Sequence, residues 1–256
     1  MKSADAKHIV NLVVLMVLLT AVSWAESTVP TTAVITDCQL LMSETEVQSQ
    51  GIARQRSMYP ASSRQRISDQ AVRDGFNAAT RKEAMREFNR AWRFNPENPL
   101  AYWGAAIVKG CEALKYGNDK ALAGKCWQDS IMLFEKGDAL PKAFPPIQKC
   151  EYQIDMAVAC RDCARFLQKE STDKAKALLE KAEAIFLQYH PCSVFQPEQN
   201  RRINLRVVWE MKELYSVWGK SDEMEKCHQE FLKLTTEQER KMLSEANKKT
   251  KARWAE

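Results

Sequence analysis

The chain contains 256 residues, of which 45% are hydrophobic and 28% are charged, and its formal net charge is +5. Lys and Arg alternate with Asp and Glu along most of the sequence, whereas nucleic-acid-binding domains concentrate basic residues in one stripe. We therefore expect no nucleic-acid partner. A chain of this length buries enough apolar surface to fold without disulfide bonds.

The first 25 residues have the pattern of an export signal. Lys2 and Lys7 precede an apolar run from Ile9 to Val22, and Ser23-Trp24-Ala25 supplies the small residues that suit signal peptidase. The apolar run is shorter than the roughly 20 residues of a membrane-spanning helix. We expect cleavage after Ala25 and a periplasmic or secreted protein without a membrane span. An uncleaved N-terminal anchor is the alternative.

The mature chain begins with a segment, residues 26–64, that is rich in Ser, Thr and Gln and has no sustained hydrophobic period. We expect a loosely structured lead-in with one short helix. From Ile67 onward the periodicity is helical, and no strand-like alternation persists. The sequence therefore predicts an all-α protein whose helical repeat domain covers residues 65–235.

The last segment, residues 236–256, is predicted to be a basic helix or tail. It ends in EANKKTKARWAE, where the lysines favour a solvated helical face. Contact with anionic lipid or an acidic partner is the alternative interpretation.

One pattern recurs four times along the helical part of the chain: a small residue, a bulky residue four positions later and a small residue three positions after that. Each copy follows another amphipathic segment, so the order helix, short turn, helix is repeated, which is typical of a stacked array of hairpins. The four copies are Ala84, Phe88 and Ala91; Ala123, Trp127 and Ser130; Ala175, Leu179 and Ala182; and the weaker Met224, His228 and Phe231.

The first of these copies resembles the tetratricopeptide repeat (TPR) family. The residues that carry the resemblance are Ala84, Phe88, Ala91 and Pro96, followed by Tyr102, Ala105 and Ala106. The resemblance covers about residues 65–235 and implies an α-solenoid of antiparallel helix hairpins. Gly75 departs from the family, which places a ring there, and the copies are 39, 52 and 49 residues apart rather than 34.

In this family the first helices of the hairpins line a concave groove that binds a protein or peptide segment. On the family's frame Trp103 and Trp209 stand at corresponding positions of two first helices. Arg206, Trp209 and Glu213 would share one helix face through their i+3 and i+4 spacing. The resemblance therefore implies a partner-binding groove that contains Trp103, Arg206, Trp209 and Glu213.

Eight cysteines follow the expected cleavage site, at positions 38, 111, 126, 150, 160, 163, 192 and 227. An even number of cysteines in an exported chain favours disulfide bonds. Cys111 and Cys126 lie at similar distances from a turn near Gly117, so their levels along a helix hairpin differ by only about 4 to 5 Å. We predict a disulfide bond between these two cysteines.

The pair Cys160 and Cys163 has the spacing of a redox motif, but no strand precedes it, and mid-helix placement favours two packed cysteines. A structural disulfide and a redox site are the alternatives. Measured along the axis of a helix hairpin, the positions of His190 and Cys160 differ by about 12 Å, so we expect no metal site. No cofactor-binding motif is present, and we expect no cofactor.

Two functions follow from these observations. The first is an exported TPR-like scaffold or adaptor without enzymatic activity, and the second is a thiol-disulfide redox enzyme that uses Cys160 and Cys163. A purely structural component of the cell envelope is a third interpretation, and the sequence does not separate it from an adaptor.

Overall fold

The computed structural model describes residues 56–117, 119–140, 144–168 and 171–241. These residues form helices joined by short turns and contain no strand, which confirms the predicted all-α class. The predicted export signal, Cys38, most of the lead-in and the tail beyond residue 241 lie outside the described residues.

The described part of the chain contains eight helices of 14 residues or more. The first begins four residues before the predicted domain boundary at residue 65, so the end of the lead-in belongs to the helical part. A further helix starts at residue 237 and continues to residue 241. The eight helices are α1 (Ala61–Asn77), α2 (Arg81–Phe94), α3 (Pro99–Lys115), α4 (Lys120–Asp138), α5 (Pro146–Leu167), α6 (Thr172–Gln188), α7 (Pro197–Trp218) and α8 (Ser221–Leu234).

The helices pack in the order in which they occur in the chain. The closest pairs are α1 with α2, α3 with α4, α5 with α6 and α7 with α8. The second helix of each of the first three pairs also contacts the first helix of the next pair. In addition, the first helices α1, α3, α5 and α7 contact one another in succession.

The four copies of the small-bulky-small pattern occupy equivalent places in the structure. Each copy starts at the fourth residue of a second helix, at positions 84, 123, 175 and 224 of α2, α4, α6 and α8. All three residues of the first three copies are buried. In the fourth copy Phe231 is buried, whereas Met224 and His228 are half-buried.

Local sequence signals account for several helix ends. Thr80 and Glu83 form a capping box at the start of α2, in which each side chain accepts a hydrogen bond from the other's backbone N–H. Asn98 caps α3, and Pro99 occupies its first turn, where a missing N–H has no cost. Gly219 ends α7 with a φ of 77°, a conformation that glycine adopts without strain.

Helices α1, α2 and α3 approach closely around the ring of Phe88. A Cβ atom at Gly75 would lie 2.7 Å from Phe88 Cε1, and one at Gly104 would lie 2.1 Å from the same atom. The ring of Phe88 in α2 therefore fills the space where a side chain at Gly75 would stand. This packing explains why a glycine stands at position 75.

Helices α3 and α5 lie at the centre of the molecule. Every residue from 101 to 113 and from 154 to 164 is buried, including the charged residues among them. Over these stretches neither helix has a solvent-exposed face. The two middle first helices therefore do not offer the open groove floor that the family resemblance implies.

None of the described helices combines the length and the apolarity that crossing a membrane requires.

Candidate functional site

Four ion pairs connect α5 to α7, and we call them the ion-pair ladder. The two middle ion pairs are buried, and the two ion pairs at the ends of the ladder are partly exposed. The four pairs are Glu151–Arg202, Asp155–Arg206, Arg161–Glu210 and Arg165–Glu213.

The spacing of the ladder shows how the two helices run. The partners are 51, 51 and 49 residues apart in the first three pairs. A nearly constant separation means that α5 and α7 run parallel, because in an antiparallel pair the separation would change from one turn to the next. The ion pairs therefore show which residues of α5 and α7, the first helices of the third and fourth hairpins, lie side by side.

The interior of the ladder is a compensated cluster of charges. Arg161 is almost completely buried, and its Nε donates to Asp162 Oδ1 at 2.8 Å while its Nη1 donates to Glu210. Burial alone lowers the pKa of the Arg161 guanidinium, but Asp162 and Glu210 outweigh burial and raise that pKa above its ordinary value. Burial raises the pKa of Glu210, and Arg161 and Arg206 offset part of the rise. The guanidinium of Arg161 therefore stays charged inside the protein.

A third first helix joins the ladder through Trp103 of α3. The indole N–H of Trp103 donates a hydrogen bond of 2.7 Å to Asp155 Oδ2, while Arg206 binds Oδ1 of the same carboxylate. The Trp103 ring also meets Phe76 of α1 edge-on, with ring centroids 5.8 Å apart. Phe76, Trp103, Asp155 and Arg206 thus form a continuous line of contacts across all four first helices.

Four side chains at the C-terminal end of the ladder form an accessible surface, which we call the ladder-end surface: Arg165, Trp209, Lys212 and Glu213. Glu213 lies 3.9 Å from Arg165 and 3.7 Å from Lys212, and the Lys212 Nζ sits 4.5 Å above the centre of the Trp209 ring. The Arg165 side chain is 41% exposed and the Glu213 side chain is 28% exposed. The surface therefore combines both signs of charge with a partly exposed aromatic ring.

The structure separates the four residues that the sequence grouped in one groove. Trp103 and Arg206 are only 6% exposed, and both side chains bind Asp155 in the interior. Neither residue therefore belongs to an accessible contact surface. Trp209 packs against Phe231 of α8 with ring centroids 5.0 Å apart.

Position along α7 distinguishes these residues more than position around it. Successive residues of a helix are about 100° apart, so Glu213 falls close to the line of Arg206, and Trp209 lies about 40° from Glu213. Arg206 and Glu213 thus lie on one side of α7, but Arg206 is in the buried part of the ladder and Glu213 is two turns further on, at its partly exposed end.

Cys160 and Cys163 have the properties of packed cysteines. Both are free thiols in the middle of α5, with exposed fractions of 0% and 3%. Burial raises the pKa of Cys160 to about 11 and that of Cys163 to about 12. Nucleophilic cysteines need an accessible thiolate and a lowered pKa, so these observations argue against the redox alternative.

The predicted disulfide bond between Cys111 and Cys126 is not formed in the structure, because Cys126 is a free, buried thiol. The turn between α3 and α4 lies where the sequence predicted it. Burial and the charge of Glu112 raise the pKa of both thiols, whereas Arg81 lowers that of Cys111 and Lys109 lowers that of Cys126. Similar levels along a hairpin are therefore not sufficient for a disulfide bond.

Among the described residues, no group of three or more His, Cys, Asp or Glu side chains is arranged to hold a metal ion. His190, which the sequence analysis weighed as a ligand, instead lies 3.2 Å from Glu230 of α8.

Sequence reasoning did not find the ion-pair ladder, although a signal was present. Asp155 and Arg161 stand in the mainly apolar stretch IDMAVACRDCA of α5, and Arg206 and Glu210 stand in the mainly apolar stretch LRVVWEM of α7. Buried charges in apolar helices require partners of opposite sign, so each set predicts the other.

No protein-family model, curated protein or solved structure matches this chain significantly.

Proposed function

We propose that this protein is a TPR-like α-solenoid that acts as a scaffold or adaptor and binds a protein or peptide segment at the ladder-end surface. The observation that carries the proposal is the arrangement of Arg165, Trp209, Lys212 and Glu213 over a buried framework of ion pairs. Trp and Arg are the residue types that most often dominate binding energy in protein interfaces. A rigid support reduces the ordering cost of binding.

The order of packing supports the solenoid part of the proposal. Each hairpin contacts the next, and the first helices α1, α3, α5 and α7 follow one another in space. This is the arrangement expected of stacked repeats in which each unit contacts its neighbours.

The binding proposal can be tested by selecting peptides from a random display library against the immobilised chain. We expect enriched peptides to lose about tenfold in affinity, which is ~1.4 kcal/mol, when Arg165 and Lys212 are both replaced by Ala. Those variants should fold normally, because exposed ion pairs contribute only about 0–1 kcal/mol. Lys176→Ala on α6, which removes a more exposed ion pair away from the ladder-end surface, is the control.

Failure to enrich any peptide would contradict the proposal, and so would peptides that bind the double variant and the wild type equally well. Circular dichroism of both variants establishes that a loss of affinity does not come from unfolding.

We further propose that the protein is exported and acts in the periplasm or outside the cell. The basic, apolar and small-residue pattern of residues 1–25 supports this location. Intact-mass measurement of the protein recovered from its native host should show that residues 1–25 are missing. A full-length mass would favour the uncleaved anchor instead.

A further inference from the structure

Two cysteines outside the candidate site lie near the place where the loop between α6 and α7 contacts the first half of α5. Cys150 lies in the second turn of α5 and is completely buried, and Cys192 lies in the loop and is 7% exposed. Both are free thiols. Neither has a role in the ion-pair ladder or in the ladder-end surface.

The loop is fixed on α5 by a hydrogen bond close to Cys150. The Tyr189 hydroxyl donates to Gln153 Oε1 at 3.0 Å. Gln153 lies three residues after Cys150, so the two side chains stand on the same face of α5. Cys192 follows three residues after Tyr189, which brings it within reach of that face.

The loop is also fixed on α7. The backbone N–H of Cys192 donates to Asn204 Oδ1 at 2.6 Å, and Asn204 Nδ2 donates to the Cys192 carbonyl at 2.9 Å. Asn204 lies between Arg202 and Arg206, which bind Glu151 and Asp155 of α5. Asn204 stands about 160° around α7 from Arg202 and Arg206, so this contact fixes only the level of Cys192 along α7, whereas the Tyr189–Gln153 bond brings the loop to α5.

Electrostatics agrees with this placement. Burial raises the pKa of Cys150 to about 12, and the nearby Cys192 is the next largest contribution. Burial raises the pKa of Tyr189 to about 12 as well, and both cysteines add to the rise. The two thiols and the phenol therefore share one enclosed site.

We propose that Cys150 and Cys192 form an intramolecular disulfide bond, by exchange with a small-molecule disulfide such as oxidised glutathione, which ties α5 to the loop before α7. The bond would close a covalent loop of residues 150–192, which contains α6. It would tie the start of α5 to the segment that leads into the fourth hairpin. The proposal goes beyond the binding function and does not depend on it.

The exchange requires two steps. The Cys192 thiolate, the more exposed of the two, attacks one sulfur of oxidised glutathione, forms a mixed disulfide and releases one glutathione thiolate. Cys150 then loses its proton, and its thiolate attacks Cys192 Sγ and releases the second glutathione thiolate; this step is slow, because burial raises the pKa of Cys150 to about 12. The two protons lost by the cysteines pass through water to the two released thiolates. Two cysteines are oxidised and one glutathione disulfide is reduced to two thiols.

The pair of cysteines in the middle of α5 fits a disulfide less well. Cys160 and Cys163 stand three apart in a regular helix, where Cβ atoms are about 5–6 Å apart, whereas a disulfide needs about 3.5–4.5 Å.

The test uses the purified full chain, incubated with oxidised glutathione, quenched with an alkylating agent and digested without reduction. Mass spectrometry should find the peptides that contain Cys150 and Cys192 linked to each other, and the link should disappear after reduction. Finding both cysteines alkylated after prolonged oxidation, or linked to other cysteines instead, would overturn the proposal.

Thermal unfolding provides a second readout. The oxidised wild type should unfold several degrees above its reduced form, because the bond restricts the unfolded chain. Cys192→Ser keeps a hydroxyl that can replace the thiol's hydrogen bond to Asn200 and should abolish the difference. Cys227→Ser, which removes a buried thiol of α8, should retain it. Equal midpoints for oxidised and reduced wild type would show that the bond does not tie the two elements and would overturn the proposal.

Discussion

Arg161 is a buried cation that pairs with two buried carboxylates, Asp162 and Glu210. Within the described chain Asp162 Oδ2 and Glu210 Oε1 have no hydrogen-bond partner, and Arg161 is the nearest cation to both carboxylates, with Arg165 and Arg206 as weaker second partners. Removal of one partner from a buried ion pair leaves an uncompensated charge in a medium of low dielectric constant. The residue is therefore a structural centre of the α5–α7 contact.

We expect Arg161→Met to lower the free energy of unfolding by about 3–5 kcal/mol, because Asp162 and Glu210 lose their counter-charge. Adding Glu210→Gln should recover part of the loss. Urea denaturation followed by circular dichroism measures both effects. The control is Lys176→Ala, which breaks an exposed pair with Glu180 and should cost less than about 1 kcal/mol. Similar losses for Arg161→Met and Lys176→Ala would show that the buried cluster does not stabilise the fold.

At the same scale, the sequence identified two of the four residues of the ladder-end surface. Trp209 and Glu213 were expected at a binding surface, whereas Arg165 and Lys212 were not. Spacing along one helix predicts which side chains share a face, but it does not indicate which face the neighbouring helices cover. Trp103 was assigned to the groove for this reason, although α1 and α5 enclose it.

At the scale of whole elements, close approach between helices depends on glycines that face a ring. Gly75 of α1 and Gly104 of α3 both lie against Phe88 of α2. Glycine in the middle of a helix normally costs about 0.5–1 kcal/mol relative to alanine. Its presence at these two positions therefore reflects packing between helices rather than helix propensity.

Gly104→Ala should destabilise the protein by about 1–3 kcal/mol, because the new Cβ would overlap the Phe88 ring and force α2 and α3 apart. Gly124→Ala in α4 is the matched control, since its Cβ would meet Phe166 at an ordinary contact distance of 3.4 Å. That substitution should be neutral or stabilise by up to ~1 kcal/mol.

Thermal unfolding of both variants checks the prediction. Combining Gly104→Ala with Phe88→Leu should relieve the overlap in part. If Gly104→Ala were as stable as Gly124→Ala, the close approach of α2 and α3 would not be required by the fold.

The ladder charges of α7 match those of α5 in order. Arg202 and Arg206 face the carboxylates Glu151 and Asp155, and Glu210 and Glu213 face Arg161 and Arg165. All four lie outside the first and last turns of α7, so the helix dipole has little effect on them. Their order therefore reflects pairing with α5. A slip of one turn would place Glu210 beside Asp155 or Arg206 beside Arg161, so the ladder also specifies register.

For the whole molecule, the buried thiols make stability depend on alkaline pH. Burial raises the pKa of Cys126 and Cys160 to about 11 and that of Cys150 and Cys163 to about 12. The ordinary value is 9.0. Above that pH the unfolded chain releases these protons, while the folded chain still holds them.

We therefore expect the free energy of unfolding of the reduced chain to be constant with respect to these groups below pH 9 and to fall between pH 9 and about 12. Each thiol that stays protonated in the folded state contributes about 1.4 kcal/mol per pH unit to the slope. Urea midpoints measured from pH 8 to 10.5 in the presence of a phosphine reductant test this. Cys160→Ala should reduce the slope, and a flat profile would contradict the prediction.

Much of the fold was determined by the sequence through local signals. The helical period, the caps at Thr80 and Asn98 and the glycine at position 219 depend on residues within one or two turns of each other. The repeated pattern also placed four equivalent helices correctly. Such features are readable because their causes lie close together in the chain.

The tertiary structure alone decided which charges, rings and thiols meet. The ion pairs of the ladder join residues about fifty positions apart, and the same holds for Trp103 with Asp155. The rotation of each helix about its axis selects these partners, and packing against several neighbours sets that rotation. For this reason the sequence alone predicted a stacked helical protein, whereas burial of Trp103 and Arg206 and the contact of the Tyr189 loop with α5 emerged only from the assembled helices.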